Sequence, residues 1–202
     1  MKSQGLLLGF DARQGSREVA LTWDAKRREE FLFRTDVMQP FSADTTVWPA
    51  VLESNLRPAV CIGHQDLWSD LECLRSSLLS PEMKVSDTYD LIAITFHSDT
   101  DSLAEVWCSE VPPTNPTLLS EASSFLGYDV TDKWLLSGLS NSGFLPDLDD
   151  VQALRHEWSG KLNGHHLFDN LKDALIFTEL SDKRVTEHSP FFVVGLWSIP
   201  LG

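Results

Sequence analysis

Histidines and carboxylates come together in the last third of the chain, and both side chains can exchange protons or bind metals. Four of the six histidines lie there: His156, His165, His166 and His188. Asp169 follows the adjacent pair by three residues. An imidazole beside a carboxylate can act as a general acid or base, or it can hold zinc. This group therefore indicates an acid–base or metal-assisted enzyme as one class of function.

The spacing of these histidines does not fit a metal-binding motif. His165 and His166 are adjacent, so a strand would direct them to opposite faces. The pattern H-E-x-x-H, which places two ligands on one helical face, does not occur. We expect no metal and no cofactor. If the chain is an enzyme, we expect His165, His166 and His188 to carry acid–base catalysis together with Asp169.

A serine-containing segment offers a nucleophile for that alternative. Residues 138–142 read GLSNS and follow the nucleophile-elbow pattern G-x-S-x-G until the last position, where serine replaces glycine. The spacing of Gly138 and Gly143 matches that of a phosphate loop, but the lysine and hydroxyl residue that should follow are missing. Ser140 is therefore the candidate nucleophile of a small hydrolase, and no nucleotide site is predicted.

Negative charge is concentrated in the middle of the chain. The sequence has 30 acidic and 16 basic residues, a formal net charge of −14. Between Asp87 and Asp150, twelve acids stand against one base, Lys133. A field of that sign repels the phosphates of nucleic acids, attracts basic proteins and accelerates their encounter. We therefore predict a basic protein partner and no nucleic-acid binding.

The leading functional prediction is a binding protein that uses this acidic segment. Small acidic cytoplasmic proteins that neutralise toxins often share this charge profile, so an immunity or antitoxin-like inhibitor is its concrete form. Trp107 alternates with Glu105 and Ser109 on the wetter face of a predicted strand, and tryptophan is enriched in binding hot spots. The residues predicted to contact the partner are Asp99, Asp101, Glu105, Trp107, Glu110, Asp147, Asp149 and Asp150.

The cysteine content and the hydropathy of the sequence indicate in which cellular compartment the protein is expected. Cys61, Cys73 and Cys108 form no close pair, which indicates free thiols in a reducing environment. The first apolar run ends at Asp11 and is too short for a signal peptide, and nowhere do about 18 apolar residues run together. We expect a cytoplasmic protein without a membrane span, and the oligomeric state stays open.

Alternating apolar residues predict strands in the first half of the chain. They indicate an antiparallel meander over 5–35, a short buried strand at 59–62, and a strand at 89–97 that forms a hairpin with 104–108. Leucines at spacings of four, three and four residues predict an amphipathic helix over 65–79.

The second half alternates helices and strands less regularly. We predict a helix over 118–126 that ends at Gly127, helices at 149–162 and about 170–180, and a buried final strand at 191–197. These patterns without regular βα alternation indicate an α+β fold. The predicted architecture is an antiparallel or mixed sheet with helices packed on it and a helix-rich C-terminal portion.

One break interrupts the pattern. Three prolines stand between residues 112 and 116, where neither a helix nor a strand can continue. We predict a single domain over 1–202, because either half alone would have a marginal core. A division into 1–111 and 117–202 at the proline-rich segment is the alternative.

Overall fold

The structure is a computed structural model, and it covers the chain in part. The residues that it describes are 5–14, 60–62, 65–68, 70–78, 89–98, 119, 123–135, 137–139, 150–165 and 167–200. The meander beyond residue 14 and the proline-rich break lie outside these residues. The choice between one domain and two therefore stays a prediction.

The described part of the chain contains six strands, three α-helices and one 3-10 turn. In order they are β1 (Leu6–Gln14), β2 (Val60–Ile62), β3 (Gln65–Leu67), α1 (Leu71–Leu78), β4 (Tyr89–Phe96), β5 (Ser124–Thr131), α2 (Val151–Trp158), a 3-10 turn (Ser159–Lys161), α3 (Leu171–Arg184) and β6 (Phe192–Ile199). The strands predicted at 59–62, 89–97 and 191–197 and the helices predicted at 149–162 and 170–180 are confirmed with shifted ends.

Four antiparallel strands form the main sheet in the order β1-β4-β6-β5. β2 and β3 form a separate antiparallel pair. A mixed α+β class is therefore confirmed. A helix-rich C-terminal portion stays a prediction, because α2 and α3 share that part of the chain with β5 and β6.

Strand β4 lies in the interior of the sheet because its sequence is apolar on both faces. Residues 91–96 read LIAITF and are buried throughout. β1 pairs with one edge of β4 and β6 with the other. The predicted hairpin between 89–97 and 104–108 is therefore wrong, since both edges of β4 are occupied. Residues 104–108 themselves lie outside the described part of the chain.

The two faces of the sheet carry separate apolar clusters. Successive residues of a strand point to opposite faces, so Ile92, Ile94 and Phe96 share one face. They pack there with Val194 and Leu196 of β6. Because every member is buried, this cluster holds the central pair of strands together.

The opposite face is covered in two parts by different helices. Leu91 and Ala93 of β4 belong to a cluster with Leu74 of α1. Tyr128 and Val130 of β5 belong to another cluster, in which Phe177 of α3 is fully buried. The sheet is thus packed by α1 on the β1–β4 side and by α3 on the β5 side.

Side-chain caps decide where helices begin. Asp70 Oδ1 accepts a hydrogen bond from the backbone N of Glu72 at 2.8 Å, and α1 starts directly after Asp70. The predicted helix over 65–79 is therefore too long, and residues 65–67 form β3 instead. Asn170 Oδ1 caps α3 in the same way, since it accepts from the backbone N of Asp173 at 2.9 Å.

The helix predicted to end at Gly127 is wrong, because strand β5 begins at Ser124. Its pairing with β6 shifts register between Phe125 and Gly127. Gly127 has φ of 149°, and a Cβ there would lie 2.6 Å from the Cβ of Leu167. The glycine that resembles a helix end is a strand residue at a bulge, where a neighbouring loop approaches the backbone closely.

Replacing Gly127 by alanine should lower the free energy of unfolding by about 2 kcal/mol or more, because the new methyl group meets Leu167 and the backbone angle disfavours L residues. Gly160→Ala is the control, since a Cβ at Gly160 meets nothing within 4 Å. Denaturant unfolding of both variants measures the difference. Equal stability of the two variants would contradict the close approach.

Candidate functional site

A buried carboxylate stands at the end of strand β5. Asp132 is fully buried, and its Oδ1 accepts a hydrogen bond from the backbone N of Trp134 at 2.8 Å. Its Oδ2 lies 2.7 Å from Nδ1 of His188. A buried carboxylate needs such donors to offset its loss of hydration. Asp132 and His188 together form what we call the Asp132–His188 pair.

The turn that carries Asp132 is fixed by a second buried aspartate. Asp129 Oδ1 accepts from the hydroxyl of Ser137 at 2.8 Å, and that hydroxyl oxygen accepts from the backbone N of Leu139 at 3.2 Å. The backbone N of Gly138 donates to the carbonyl of Val130 at 2.7 Å. Residues 137–139 therefore return alongside β5 and close the turn around Asp132.

The loop that carries His188 is held by the last turn of α3. Asp182 Oδ1 accepts from the hydroxyl of Ser189 and from the backbone N of Phe191, each at 2.8 Å. The backbone N of His188 donates to the carbonyl of Val185 at 3.0 Å. These bonds fix the loop independently of Asp132, so the imidazole is positioned from both sides.

The two members of the Asp132–His188 pair differ in their exposure to solvent. The side chain of Asp132 has no exposed surface, whereas that of His188 is 26% exposed. Trp134 meets the His188 ring edge-on, with centroids 5.5 Å apart. The Lys133 ammonium lies 4.3 Å from the centroid of the Trp134 ring. The arrangement can orient an imidazole and hold it beside an aromatic wall.

The structure places His165 and Asp169 away from His188, although the sequence groups all three as candidates for catalysis. His165 and Asp169 are both exposed and belong to one loop, which Asn163 closes. Asn163 Oδ1 accepts from the backbone N of His165 at 2.9 Å, and its Nδ2 donates to Asp169 Oδ1 at 3.1 Å. The loop pairs with β5 at Tyr128, whereas His188 binds beyond the end of that strand.

The acid that accompanies His188 is Asp132, which the sequence places only among the acids of the middle segment. The two residues are 56 positions apart, and no motif links them. The one available signal is that Asp132 follows a strand-like run. Identifying the pair needs the sheet topology, which brings the turn after β5 beside the loop before β6.

Most residues predicted for the partner surface, and two of those predicted for catalysis, lie outside the described part of the chain. These residues are Asp99, Asp101, Glu105, Trp107, Glu110, Ser140, Asp147, Asp149 and His166. Their roles stay predictions.

Asp150 is described, and its charge is compensated within the chain. Arg184 donates two hydrogen bonds to its carboxylate, at 2.5 and 3.1 Å. The hydrogen bond from Arg184 holds the pKa of Asp150 below its usual value, with the charge of Arg184 as a further cause. Asp129 and Asp132, which belong to the same acidic segment, point into the protein. These three acids therefore add little to an outward negative field.

A second polar group lies on the sheet face that α1 and α3 cover, between the parts packed by each helix. Thr95 is fully buried, and its hydroxyl oxygen lies 2.9 Å from Nε2 of His97 and 3.2 Å from the carbonyl of Gly195. Trp197 Nε1 donates to the same oxygen at 3.1 Å. The ring of His97 meets that of Tyr128 edge-on, with centroids 5.0 Å apart. This group joins β4, β6 and β5 through side chains.

Close packing keeps His97 uncharged. A Cβ at Gly195 would lie 2.8 Å from Nε2 of His97, and one at Gly5 would lie 2.6 Å from it. Burial lowers the pKa of His97 to about 4 from its ordinary value of 6.5. The ring is thus neutral at pH 7 and fills the space beside Gly5 and Gly195.

Comparison with known proteins assigns neither a family nor a function to this chain. Within the described residues, no group of three or more histidine, cysteine, aspartate or glutamate side chains could hold a metal ion. No helix in that part of the chain is long and apolar enough to cross a membrane. No protein-family model, curated protein or solved structure matches the chain. Function must therefore be argued from its own residues.

Stability should fall as the pH drops from about 6.5 to about 4, because over this window the unfolded chain binds a proton at His97 that the folded chain excludes. The loss should be roughly 2 kcal/mol, reduced from the full shift because the ring is half-buried. His97→Gln should flatten this dependence, and His156→Gln, at an exposed position, should not. Denaturant midpoints across the pH range test this, and parallel curves for wild type and H97Q would refute it.

Proposed function

We propose that this chain is an acidic binding protein whose middle segment captures a basic protein partner, in the manner of an immunity or antitoxin-like inhibitor. The observation that carries the proposal is the ratio of twelve acids to one base between Asp87 and Asp150. Carboxylates are almost never buried unless they are paired. We therefore expect most of this excess to lie at the surface, where it would attract cationic proteins.

The basic residues with described ion pairs are bound by nearby acids. Arg75 is 2.6 Å from Glu72, and Lys161 is 3.5 Å from Asp173. Arg184 binds Asp150. Each of these cations balances a local carboxylate, so none of the three compensates the acids elsewhere in the segment. This local balance supports a negative field around the rest of the segment.

The proposed interface is narrower than the set of acids in the sequence. Asp150 contributes little, because Arg184 neutralises it. The remaining acids would steer the partner, and Trp107 would supply apolar area that loses water on binding. The proposed contact residues are Asp99, Asp101, Glu105, Trp107, Glu110, Asp147 and Asp149.

The proposal includes a cytoplasmic location and excludes nucleic acid as the partner. Three cysteines without close spacing suit a reducing compartment. A phosphate backbone would be repelled by the same segment that attracts basic proteins.

Replacing Asp147 and Asp149 by asparagine should slow association with the partner roughly tenfold at low salt and flatten its salt dependence, because two steering charges are lost. The matched control is the pair Glu157→Gln and Glu179→Gln, which removes the same charge from exposed helical positions. The partner is first captured from native lysate at low salt, identified by mass spectrometry and purified. Association kinetics with the purified partner then compare the variants.

Two results would contradict the proposal. One is a captured partner without a basic surface. The other is an equal loss of association rate in the Asp147/Asp149 variant and in the charge-matched control, which would show a diffuse effect of net charge rather than a defined face.

A further inference from the structure

The hydrogen bond between Asp132 and His188 decides which ring nitrogen carries a proton. A carboxylate oxygen accepts, so Nδ1 of His188, at 2.7 Å, is the donor. In the neutral imidazole the proton is then on Nδ1, and Nε2 has a free lone pair. No described residue forms a hydrogen bond with Nε2 of His188. The side chain of His188 is 26% exposed, so water reaches part of it.

The carboxylate behind the imidazole is built to stay in place. Asp132 is fully buried and also accepts from the backbone N of Trp134. The loop of His188 is fixed separately by Asp182, through Ser189 and Phe191. An oriented imidazole with a fixed tautomer and a buried carboxylate behind it is the arrangement of a general base and its positioning group.

The surroundings of the ring favour one kind of substrate. Trp134 is half-buried and its ring is nearly perpendicular to that of His188, with centroids 5.5 Å apart, so an aromatic group bound at His188 would also contact the indole. The Lys133 ammonium lies over the same indole ring and brings positive charge to the site. Such a charge stabilises an oxyanion that develops during acyl transfer.

We propose that the Asp132–His188 pair is an acid–base site that hydrolyses small carboxylic esters of aromatic alcohols, an activity beyond the proposed binding function. Nε2 of His188 removes a proton from water while the water oxygen bonds to the ester carbonyl carbon. The positive charge of Lys133, which lies over the Trp134 ring, favours formation of the oxyanion. When the intermediate collapses, the bond between the acyl carbon and the phenolic oxygen breaks, and Nε2 returns the proton to the leaving oxygen. The products are a carboxylic acid and a phenol.

Hydrolysis of p-nitrophenyl acetate by the full chain tests this inference. His188→Gln should lower the second-order rate constant by roughly a hundredfold, because general acid–base catalysis contributes on this scale. The control is His156→Gln, which removes an exposed imidazole from helix α2 and should leave the rate unchanged. Lys133→Gln should lower the rate without moving the pH profile, since Lys133 acts on the oxyanion and not on the proton.

Equal rates for wild type and H188Q, or equal losses in H188Q and H156Q, would overturn the inference. Nitrogen-15 NMR of the wild-type imidazole gives a second measurement that does not depend on the folding of a variant. We expect the spectrum of neutral His188 to show a proton on Nδ1 and a bare Nε2. A proton on Nε2 would overturn the inference as well. Neither experiment involves the basic partner, so both are independent of the binding proposal.

Discussion

Strand β6 pairs along both edges, with β4 on one side and β5 on the other. Its register places Gly195 beside both Thr95 and Tyr128, which builds the polar group around His97. The loop that leads into the same strand carries His188 to Asp132. A shift of one residue would turn every side chain of β6 to the opposite face. The register of this one strand therefore positions the polar group around His97, and the loop that precedes the strand carries His188.

The described carboxylates of this protein are stabilised in two ways. Inside, Asp129 and Asp132 are buried and receive hydrogen bonds from a hydroxyl, backbone amides and an imidazole. At the surface, Arg184 pairs with Asp150. Ion pairing within the chain does not change the net charge of −14, because the acids outnumber the bases by 14. The chain thus combines a hydrogen-bonded interior with the excess of negative charge on which the proposed binding function depends.

Sequence patterns predict the buried strands β4 and β6 well, because a short and continuous apolar run is typical of a strand that is buried on both faces. They fail at Gly127, where a glycine next to apolar residues resembles a helix end, and the close approach of Leu167 that requires it comes from a distant loop. They also miss the Asp132–His188 pair, since pairing across 56 residues depends on strand order. Charge segregation is visible in the sequence, but the burial of Asp129 and Asp132 is not.

The central claim is that the remaining carboxylates of the acidic segment face solvent. Carbodiimide-driven labelling of carboxylates on the folded chain, read residue by residue by mass spectrometry, tests it most directly. The account predicts that Asp99, Asp101, Glu105, Glu110, Asp147 and Asp149 label as fast as the exposed Glu157 and Glu179, while Asp129 and Asp132 stay protected. Slow labelling of the first group, at the rate of the buried pair, would contradict it.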